Sequence, residues 1–321
     1  MKIVYFGTPE IASSQLEAII AAGYEVAAVV TVPDKPAGRG KKIQSSDVKE
    51  TALKHGLPIL QPFSLKSQDF IDELSSYQAD LFIVVAFRML PEVVWSMPPM
   101  GTFNLHASLL PQYRGAAPIN HAIINGEKET GLTTFLLDKE IDTGEIIMQE
   151  KVTIEERETA GTLHDKLMLL GNKVVVETIR MIEEGRVHSQ SQESIIQRDN
   201  LQLKPAPKIF KEDCRIDWTK DAKSVYNFIR GLSPYPAAHT QLVSDNGETL
   251  DLKIYEVTLE EKTSVDEELY QVITDGKSYM KVVLKDFYIS INFLQQAGKK
   301  AVPIADFLRG ARINGKLRVV N

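Results

Sequence analysis

Two polar side chains share one face of a predicted strand in the stretch NLHASLLP, residues 104–111. Side chains two residues apart in a strand point to the same side, so Asn104 and His106 lie together, with Leu105 on the opposite face. A histidine exchanges protons near neutral pH, and an asparagine amide can stabilise a developing oxyanion. Because such a pair is a poor addition to a hydrophobic core, it indicates a catalytic site at a strand end.

A carboxylate that could complete this pair lies in the stretch LLDKEIDTGEI. Asp142 falls in the turn sequence IDTG, and Asp138, four residues earlier, is a rival acid that the residues alone leave open. A carboxylate beside an imidazole orients the ring and favours its charged form. No serine or cysteine is clearly paired with a base, which favours direct group transfer over a covalent intermediate. The alternative is that His106 is a hydrogen-bonded structural residue, the commoner role of a single histidine in a strand.

A second candidate site is the loop TVPDKPAGRGKKIQ, residues 31–44, which contains two prolines and two glycines. Its only acid is Asp34, and its basic residues are Lys35, Arg39, Lys41 and Lys42. One interpretation is a solvated surface loop. The other is an arm that contacts phosphates, since arginine and lysine on a flexible loop can follow a nucleic-acid backbone.

Composition limits the class of protein. A chain of 321 residues predicts two domains, and a net charge of -6 does not by itself indicate a nucleic-acid partner. One cysteine allows no internal disulfide and fits a reducing compartment. We find neither the features of a signal peptide at the start nor an apolar run of membrane-spanning length. We therefore expect a cytoplasmic protein, and the composition is compatible with a monomer.

The first strand–helix turn argues against a nicotinamide or flavin cofactor. The turn reads FGTPEIA, with Gly7 alone and Pro9 where the dinucleotide fingerprint needs a second glycine. Outside the strand pair, the histidines show no metal-ligand spacing, so we expect no metal; these are His55, His121, His164, His188 and His239.

The order of predicted elements positions these candidates. Apolar strands such as KIVYFG and ADLFIVVAF alternate with helical segments that end at Gly23, Gly56 and Gly185, a pattern typical of a mostly parallel α/β sheet covered on both faces. A polar, proline-containing stretch then resembles a linker, and short alternating segments after it predict a small β-barrel. We predict a catalytic domain at residues 1–189, a linker at 190–207 and a barrel at 208–321.

Six motifs in this order resemble those of the methionyl-tRNA formyltransferase family: FGTPEIA, PDKPAGRGKK, NLHASLLPQYRGAAPI, LDKEIDTGEI, TLHDKL and KEDCRIDW. The NLHASLLPQYRG and DTG motifs are similar to a wider set of formyl-folate-dependent transferases, whereas PDKPAGRGKK and KEDCRIDW are specific to the tRNA enzymes. The resemblance implies a Rossmann-like formyltransferase domain followed by an OB-like β-barrel that binds tRNA. It implies transfer of the formyl group of 10-formyltetrahydrofolate to methionyl initiator tRNA.

The resemblance also implies roles for particular residues. The family's catalytic residues fall on Asn104, His106 and Asp142, which favours Asp142 over Asp138. Its folate-binding residues fall on Ser108, Leu109, Leu110 and Pro111, and the stretch that borders its pterin pocket falls on Phe87, Arg88, Met89 and Leu90. Its basic loop, which meets the acceptor end of the tRNA, falls on residues 34–42, with Lys35, Arg39, Lys41 and Lys42, and Arg39 is the expected principal contact.

One position departs from the family's pattern. Arg88 stands where the family usually has a glycine, after the aromatic residue of VVAF, so the side-chain contacts of residues 87–90 are open. Two rival functions also stay open: formyl transfer to a small amine, such as an amino sugar or a ribonucleotide, and tRNA binding without catalysis. The basic loop and the barrel argue against the first, and the intact polar triad argues against the second.

Overall fold

The computed structural model describes residues 1–37, 42–264, 266–311 and 315–320. Its strands are β1 (Lys2–Gly7), β2 (Glu25–Val30), β3 (Lys35–Ala37), β4 (Lys42–Gln44), β5 (Ile59–Leu60), β6 (Leu81–Val85), β7 (Thr102–His106), β8 (Glu129–Leu136), β9 (Ile146–Thr153), β10 (Ala238–Ser244), β11 (Thr249–Glu261), β12 (Gln271–Thr274), β13 (Met280–Val283), β14 (Phe287–Gln296), β15 (Ala301–Pro303) and β16 (Leu317–Val320). Its α-helices are α1 (Glu10–Ala21), α2 (Asp47–Lys54), α3 (Gln68–Ser76), α4 (Glu92–Trp95), α5 (Pro118–Ile124), α6 (Ala160–Glu183), α7 (Gln192–Asp199), α8 (Ala222–Leu232) and α9 (Ile304–Gly310).

The chain divides into two compact units that each use several segments. The first unit comprises Met1–Gly115, Thr130–Val152 and Asp165–Pro205, and the second comprises Ala116–Glu129, Thr153–His164 and Ala206–Asn321. Two segments that precede residue 165 therefore group with the barrel. The predicted division at residues 189 and 208 stays a prediction.

The first unit is built on one sheet, with strand order β5-β2-β1-β6-β7-β8-β9 in the described part of the chain. The pairs β5–β2, β2–β1, β1–β6 and β6–β7 are parallel, and β8 runs antiparallel to β7. All five residues of β6 are buried, as a strand covered on both faces requires. The predicted mostly parallel α/β sheet is confirmed.

The sheet has a topological switch point between β1 and β6. From β1 the chain first adds β2 and β5 on one side and then crosses to add β6 and β7 on the other. At such a point the loops leave adjacent strands in opposite directions and open a crevice at the carboxyl ends of the strands. The carboxyl end of β6 leads into residues 86–90, and that of β7 leads from His106 into residues 107–111. Both candidate segments therefore start at this edge.

Glycines end three helices as predicted. Gly23, Gly56 and Gly185 have φ values of 84°, 64° and 66°, the left-handed region that glycine adopts without steric penalty. Each lies two positions beyond the last residue of its helix, α1, α2 or α6. The turns at Gly23 and Gly56 lead into β2 and β5, and the one at Gly185 precedes α7.

The second unit contains a closed antiparallel barrel. In its described residues the order β11-β10-β16-β12-β13-β14 closes through β11–β14 pairing, and β15 is added beside β14. Trp218 is fully buried in its core and donates from Nε1 to Thr240 Oγ1 at 2.9 Å. The predicted barrel is confirmed.

Helix α5 explains why residues 116–129 belong to this second unit. Asn120 Nδ2 donates to the Gly231 carbonyl of α8 at 2.7 Å. A Cβ at Gly231 would lie 2.6 Å from the Ile124 side chain, so only glycine allows this close helix contact. The sequence pattern does not reveal α5, because its short apolar run follows directly on the YRGAAP motif.

Candidate active site

Asn104 and His106 occupy the carboxyl-terminal end of β7, one strand from the centre of the sheet. Asn104 pairs in register with Val84 of β6 and Phe135 of β8, and His106 pairs with Thr133 of β8. His106 is buried, and Asn104 is partly buried. Strand β7 therefore places both polar heads at the edge where an open α/β sheet binds ligands.

The hydrogen bonds of the His106 imidazole define its protonation at one nitrogen. Nε2 lies 2.9 Å from the backbone oxygen of Tyr113. A carbonyl oxygen only accepts hydrogen bonds, so Nε2 carries a proton and donates it. Nδ1 lies 3.8 Å from Asp142 Oδ2, which is longer than a direct hydrogen bond. Nδ1 is therefore the nitrogen available to exchange a proton.

Asp142 is held in an unusual backbone conformation. Its φ of 56° lies in the left-handed region, which non-glycine residues occupy at a cost of about 1–3 kcal/mol. Its Oδ2 accepts a hydrogen bond from the backbone N–H of Gly115 at 2.9 Å. The rival acid Asp138 is exposed, and its Oδ1 accepts from the neighbouring Lys139 N–H. Of the two acids, Asp142 is the one beside His106.

The Asn104 amide has an unpartnered atom. Its Oδ1 is buried and has no hydrogen-bond partner among the described residues. Buried polar atoms are nearly always paired, so an orphaned acceptor at a strand end indicates a site that a ligand completes.

Residues 108–111 form a loop that is fixed through its backbone. Thr133 Oγ1 donates to the Ser108 carbonyl at 2.6 Å and accepts from the Leu110 N–H at 3.1 Å. Gln149 Nε2 donates to the Leu110 carbonyl at 2.9 Å. Ser108, Leu110 and Pro111 are buried, and Leu109 is partly buried. Sequence analysis missed Thr133 and Gln149, although a polar residue in an otherwise apolar strand is the signal that could reveal such a support.

The Ser108 hydroxyl is used inside this loop. It donates to the Gln112 carbonyl at 2.7 Å. The predicted folate role of residues 108–111 stays a prediction. Because the Ser108 hydroxyl already donates within the loop, this role depends more on the position of the backbone than on that hydroxyl.

Residues 87–90 follow a left-handed turn at the end of β6, where Ala86 has a φ of 46°. The ring of Phe87 lies 5.8 Å from that of Phe6. Leu90 is buried, whereas the Met89 side chain is 63% exposed. This stretch therefore anchors two apolar side chains and leaves one at the surface.

Arg88 joins this stretch to the turn after β5. Its guanidinium donates to the Phe63 carbonyl at 3.0 Å and to the Pro62 carbonyl. Its Nε is buried and has no partner in the described part of the chain. Burial lowers the pKa of the guanidinium, which still leaves it charged at neutral pH. The departure from the family's glycine thus produces a contact that glycine cannot make.

The basic loop is only partly described. Lys35 is exposed in β3, and Lys42 begins β4, which pairs with β3. Arg39 and Lys41 lie outside the described residues. Of the candidate tRNA contacts, Lys35 and Lys42 are therefore located only by their strands, β3 and β4.

Three polar side chains hold the base of the basic loop. Lys49 Nζ donates to Asp34 Oδ2 at 2.5 Å and to Gln61 Oε1 at 3.0 Å, and Gln61 Nε2 donates to Asp34 Oδ1 at 2.9 Å. The hydrogen bond from Lys49 is the main cause that lowers the pKa of Asp34, with the bond from Gln61 second. The sequence alone identifies Asp34 only as a charge, whereas its contacts make it a support of the loop.

Two further residues, Arg114 and Gln192, lie beside the loop that contains Asp142. Gln192 lies within the predicted linker and is buried. Burial lowers the pKa of Arg114, and the nearby charge of Asp142 opposes this shift. Nothing in the polar composition of residues 189–211 distinguishes Gln192, so sequence analysis missed it.

Comparisons with known proteins identify the family. The formyl transferase model matches residues 1–179, and the formyl transferase C-terminal domain model matches residues 208–312. The methionyl-tRNA formyltransferase of Bacteroides fragilis is 54% identical over 97% of this chain and 95% of its own length. That of Phocaeicola vulgatus is 55% identical over 99% and 98% of the two chains. The chain belongs to the methionyl-tRNA formyltransferase family. The family predicted from the six motifs is confirmed.

Members of this family use 10-formyltetrahydrofolate as the formyl donor. Among solved structures, the sugar 3N-formyltransferase WlaRD, crystallised with dTDP and 5-N-formyl-THF, superposes with a TM-score of 0.64 over 94% of this chain and 99% of its own, at 21% identity. At that identity the likeness supports the fold alone.

Within the described residues of this formyltransferase, no helix is long and apolar enough to cross a membrane. The same residues contain no group of three or more His, Cys, Asp and Glu side chains that could hold a metal ion.

Proposed function

We propose that this chain transfers the formyl group of 10-formyltetrahydrofolate to the free amino group of methionyl initiator tRNA, which gives N-formylmethionyl-tRNA for translation initiation. The observation that carries this proposal is the cluster of Asn104, His106 and Asp142 at the carboxyl edge of the sheet. It stands in a chain about half identical, over nearly its whole length, to methionyl-tRNA formyltransferases.

The three residues divide the chemistry between them. The unprotonated amine attacks the formyl carbon, and the electron pair of the carbonyl moves onto its oxygen, to which the Asn104 amide donates a hydrogen bond. The bond from the formyl carbon to the folate nitrogen then breaks. That nitrogen takes the proton that the amine loses, relayed through Nδ1 of His106. Asp142, beside Nδ1, stabilises the charged imidazole.

The orientation of His106 supports this division. Its Nε2 is occupied by the Tyr113 carbonyl at 2.9 Å, so the ring cannot turn without losing a buried hydrogen bond. A fixed ring presents Nδ1 alone to the reacting groups, and positioning of this kind is a large part of catalysis.

The donor would bind between the carboxyl ends of β6 and β7. Residues Phe87, Arg88, Met89 and Leu90 would border the pterin, and Ser108, Leu109, Leu110 and Pro111 would border the rest of the folate. The support is their position: one stretch follows β6 and the other follows β7, on either side of Asn104 and His106.

The basic loop would contact the acceptor end of the tRNA through Lys35, Arg39, Lys41 and Lys42. Its single acid, Asp34, is paired with Lys49, so it does not offset the positive charge of the loop. The barrel at 208–321 would contact the body of the tRNA, with residues 190–207 as the linker. We also propose that the protein is cytoplasmic and monomeric, and light scattering of the purified chain would test the monomeric state.

The test is a comparison of acceptors. Labelled 10-formyltetrahydrofolate would be supplied with methionyl initiator tRNA, methionyl elongator tRNA, free methionine and a nucleotide-linked amino sugar. We expect rapid formylation of the initiator alone. Transfer to the amino sugar in preference to the tRNA would overturn the proposal and support the rival function, formyl transfer to a small amine.

A further inference from the structure

A buried glutamine from the predicted linker holds the loop of Asp142. Gln192 is the first residue of α7 and only 2% exposed. Its Nε2 donates to the Asp142 carbonyl at 3.0 Å and to the Gly144 carbonyl at 2.8 Å. Both hydrogens of this amide are therefore used on the backbone of one turn.

The other end of the amide is fixed by Arg114. Oε1 of Gln192 accepts from Arg114 Nε at 3.1 Å and from a terminal nitrogen of the same guanidinium at 2.7 Å. Arginine donors form a rigid planar fork, so the two bonds determine which way the glutamine amide faces. Since an amide that flipped would turn its NH2 toward a cation, the orientation with Nε2 on the Asp142 turn is the only one that Arg114 permits.

The turn that Gln192 holds needs such support. Asp142 has a φ of 56°, a left-handed conformation that is uncommon for non-glycine residues, although aspartate tolerates it better than most. Its side chain is fixed separately, because the Gly115 N–H donates to Oδ2. Arg114 and Gly115 are neighbours in the chain, so one short segment fixes the carboxylate directly and the carbonyl through Gln192.

We propose that Gln192, oriented by Arg114, is a positioning residue that holds Asp142 beside His106. The rate of formyl transfer then depends on the first turn of α7. This inference rests on the catalytic role proposed for Asp142. A purely architectural role is less consistent with the contacts, because both Nε2 bonds end on the turn of Asp142 and none ends on a strand of the sheet.

The discriminating variant is Gln192→Glu. It keeps the size of the side chain and the pairing with Arg114, but it replaces the NH2 donor by an oxygen that faces two carbonyl oxygens. Gln197→Glu is the matched control, since Gln197 lies on the same helix, is exposed and contacts only the Glu193 side chain among the bonds described for it. Each change would be made in the wild-type and in the Asp142→Ala background, with thermal melting to verify the fold.

We expect Gln192→Glu to lower kcat about tenfold or more, as misplacement of a reacting group does, with both KM values within about threefold of wild type. In the Asp142→Ala background it should change kcat by less than about twofold, since the group it positions is gone. Gln197→Glu should leave kcat unchanged in both backgrounds.

Three results separate the possibilities. A normal kcat for Gln192→Glu, with Asp142→Ala inactive, overturns the inference and leaves the proposed function standing. An equal loss in both backgrounds also overturns it, because Gln192 would then act other than through Asp142. Near-normal activity of Asp142→Ala would instead remove the proposed role of Asp142 itself.

Should Gln192→Glu fail to fold, Arg114→Lys tests the same chain of contacts. It leaves Gln192 in place but removes the planar fork that orients the amide. We expect a smaller loss of kcat that again disappears in the Asp142→Ala background. Full activity of Arg114→Lys would overturn the inference.

Discussion

Asp142 Oδ2 lies 3.8 Å from Nδ1 of His106, while Nε2 of the same ring donates to the Tyr113 carbonyl. The imidazole is thus held at Nε2 by a carbonyl oxygen, and its Nδ1 faces the Asp142 carboxylate. In the mechanism proposed above, the histidine moves a proton and the aspartate stabilises the charge that the histidine acquires.

The charge of Asp142 is open to a direct test. Asp142→Asn keeps the size of the side chain and an oxygen that can accept from the Gly115 N–H, but it removes the negative charge beside His106. We expect kcat to fall about 10²-fold or more, a loss typical of impaired acid–base catalysis, with normal folding. Asp138→Asn, which alters the exposed rival acid, should leave kcat unchanged. Equal effects of the two variants would contradict the assignment.

We expect Arg39 to contribute to tRNA binding and not to folate binding. Arg39→Ala removes one cation from the basic loop, so we expect a raised KM for methionyl-tRNA and a salt dependence of tRNA binding reduced by about one in log–log slope. Folate affinity should stay at its wild-type value. Lys173→Ala removes an exposed cation on α6 as a control. A matching loss of folate affinity in Arg39→Ala would show that the loop has another role.

Arg88 should contribute to the folate pocket through the turn that it holds. Arg88→Ala removes the bonds to the Phe63 and Pro62 carbonyls, and a charge-assisted hydrogen bond contributes about 1.5–3 kcal/mol. We expect the KM for the folate to rise roughly tenfold with the KM for tRNA unchanged. Steady-state kinetics with each substrate varied in turn measures both values. Lys66→Ala serves as the control, since Lys66 is an exposed cation that follows Phe63 closely in the chain. An unchanged folate KM for Arg88→Ala would contradict the prediction.

The Asp34–Lys49 pair predicts a pH dependence of stability. The pKa of Asp34 is lowered in the folded chain, first by the hydrogen bond from Lys49, so its contribution to stability is present above the unfolded value near 3.8 and disappears as the pH falls through the lower folded value. We expect Asp34→Asn to lower the urea midpoint of unfolding at pH 7. Below the folded pKa of Asp34, the urea midpoints of Asp34→Asn and wild type should be equal. A difference in urea midpoint that stays the same at these acidic pH values would contradict the role of the ionised pair.

Much of the fold follows from local patterns. Continuous apolar strands, helices ended by Gly23, Gly56 and Gly185, and the alternation in the last third of the chain predict the sheet and the barrel because periodicity and positive φ are local properties. The spacing of Asn104 and His106 likewise depends only on strand geometry. These features were therefore accessible from the sequence.

Other features depend on distant partners. Gln192 lies 50 residues from Asp142, and a glutamine in a polar stretch has the same local pattern whether it is exposed or buried. Asp34 and Gln61 are separated by 27 residues, and α5 belongs with the barrel through a contact with α8, 111 residues away. Only the folded chain brings these residues together, which is why sequence patterns did not reveal them.

The most direct test of the account is a single-turnover measurement with Asn104→Ala. The enzyme would be saturated with 10-formyltetrahydrofolate and mixed with methionyl initiator tRNA, so that the rate reports the transfer step. Loss of one oxyanion donor predicts a rate about 10²–10³-fold below wild type, with binding of both substrates retained. A transfer rate within about threefold of wild type would contradict the claim that the strand-end cluster carries the reaction.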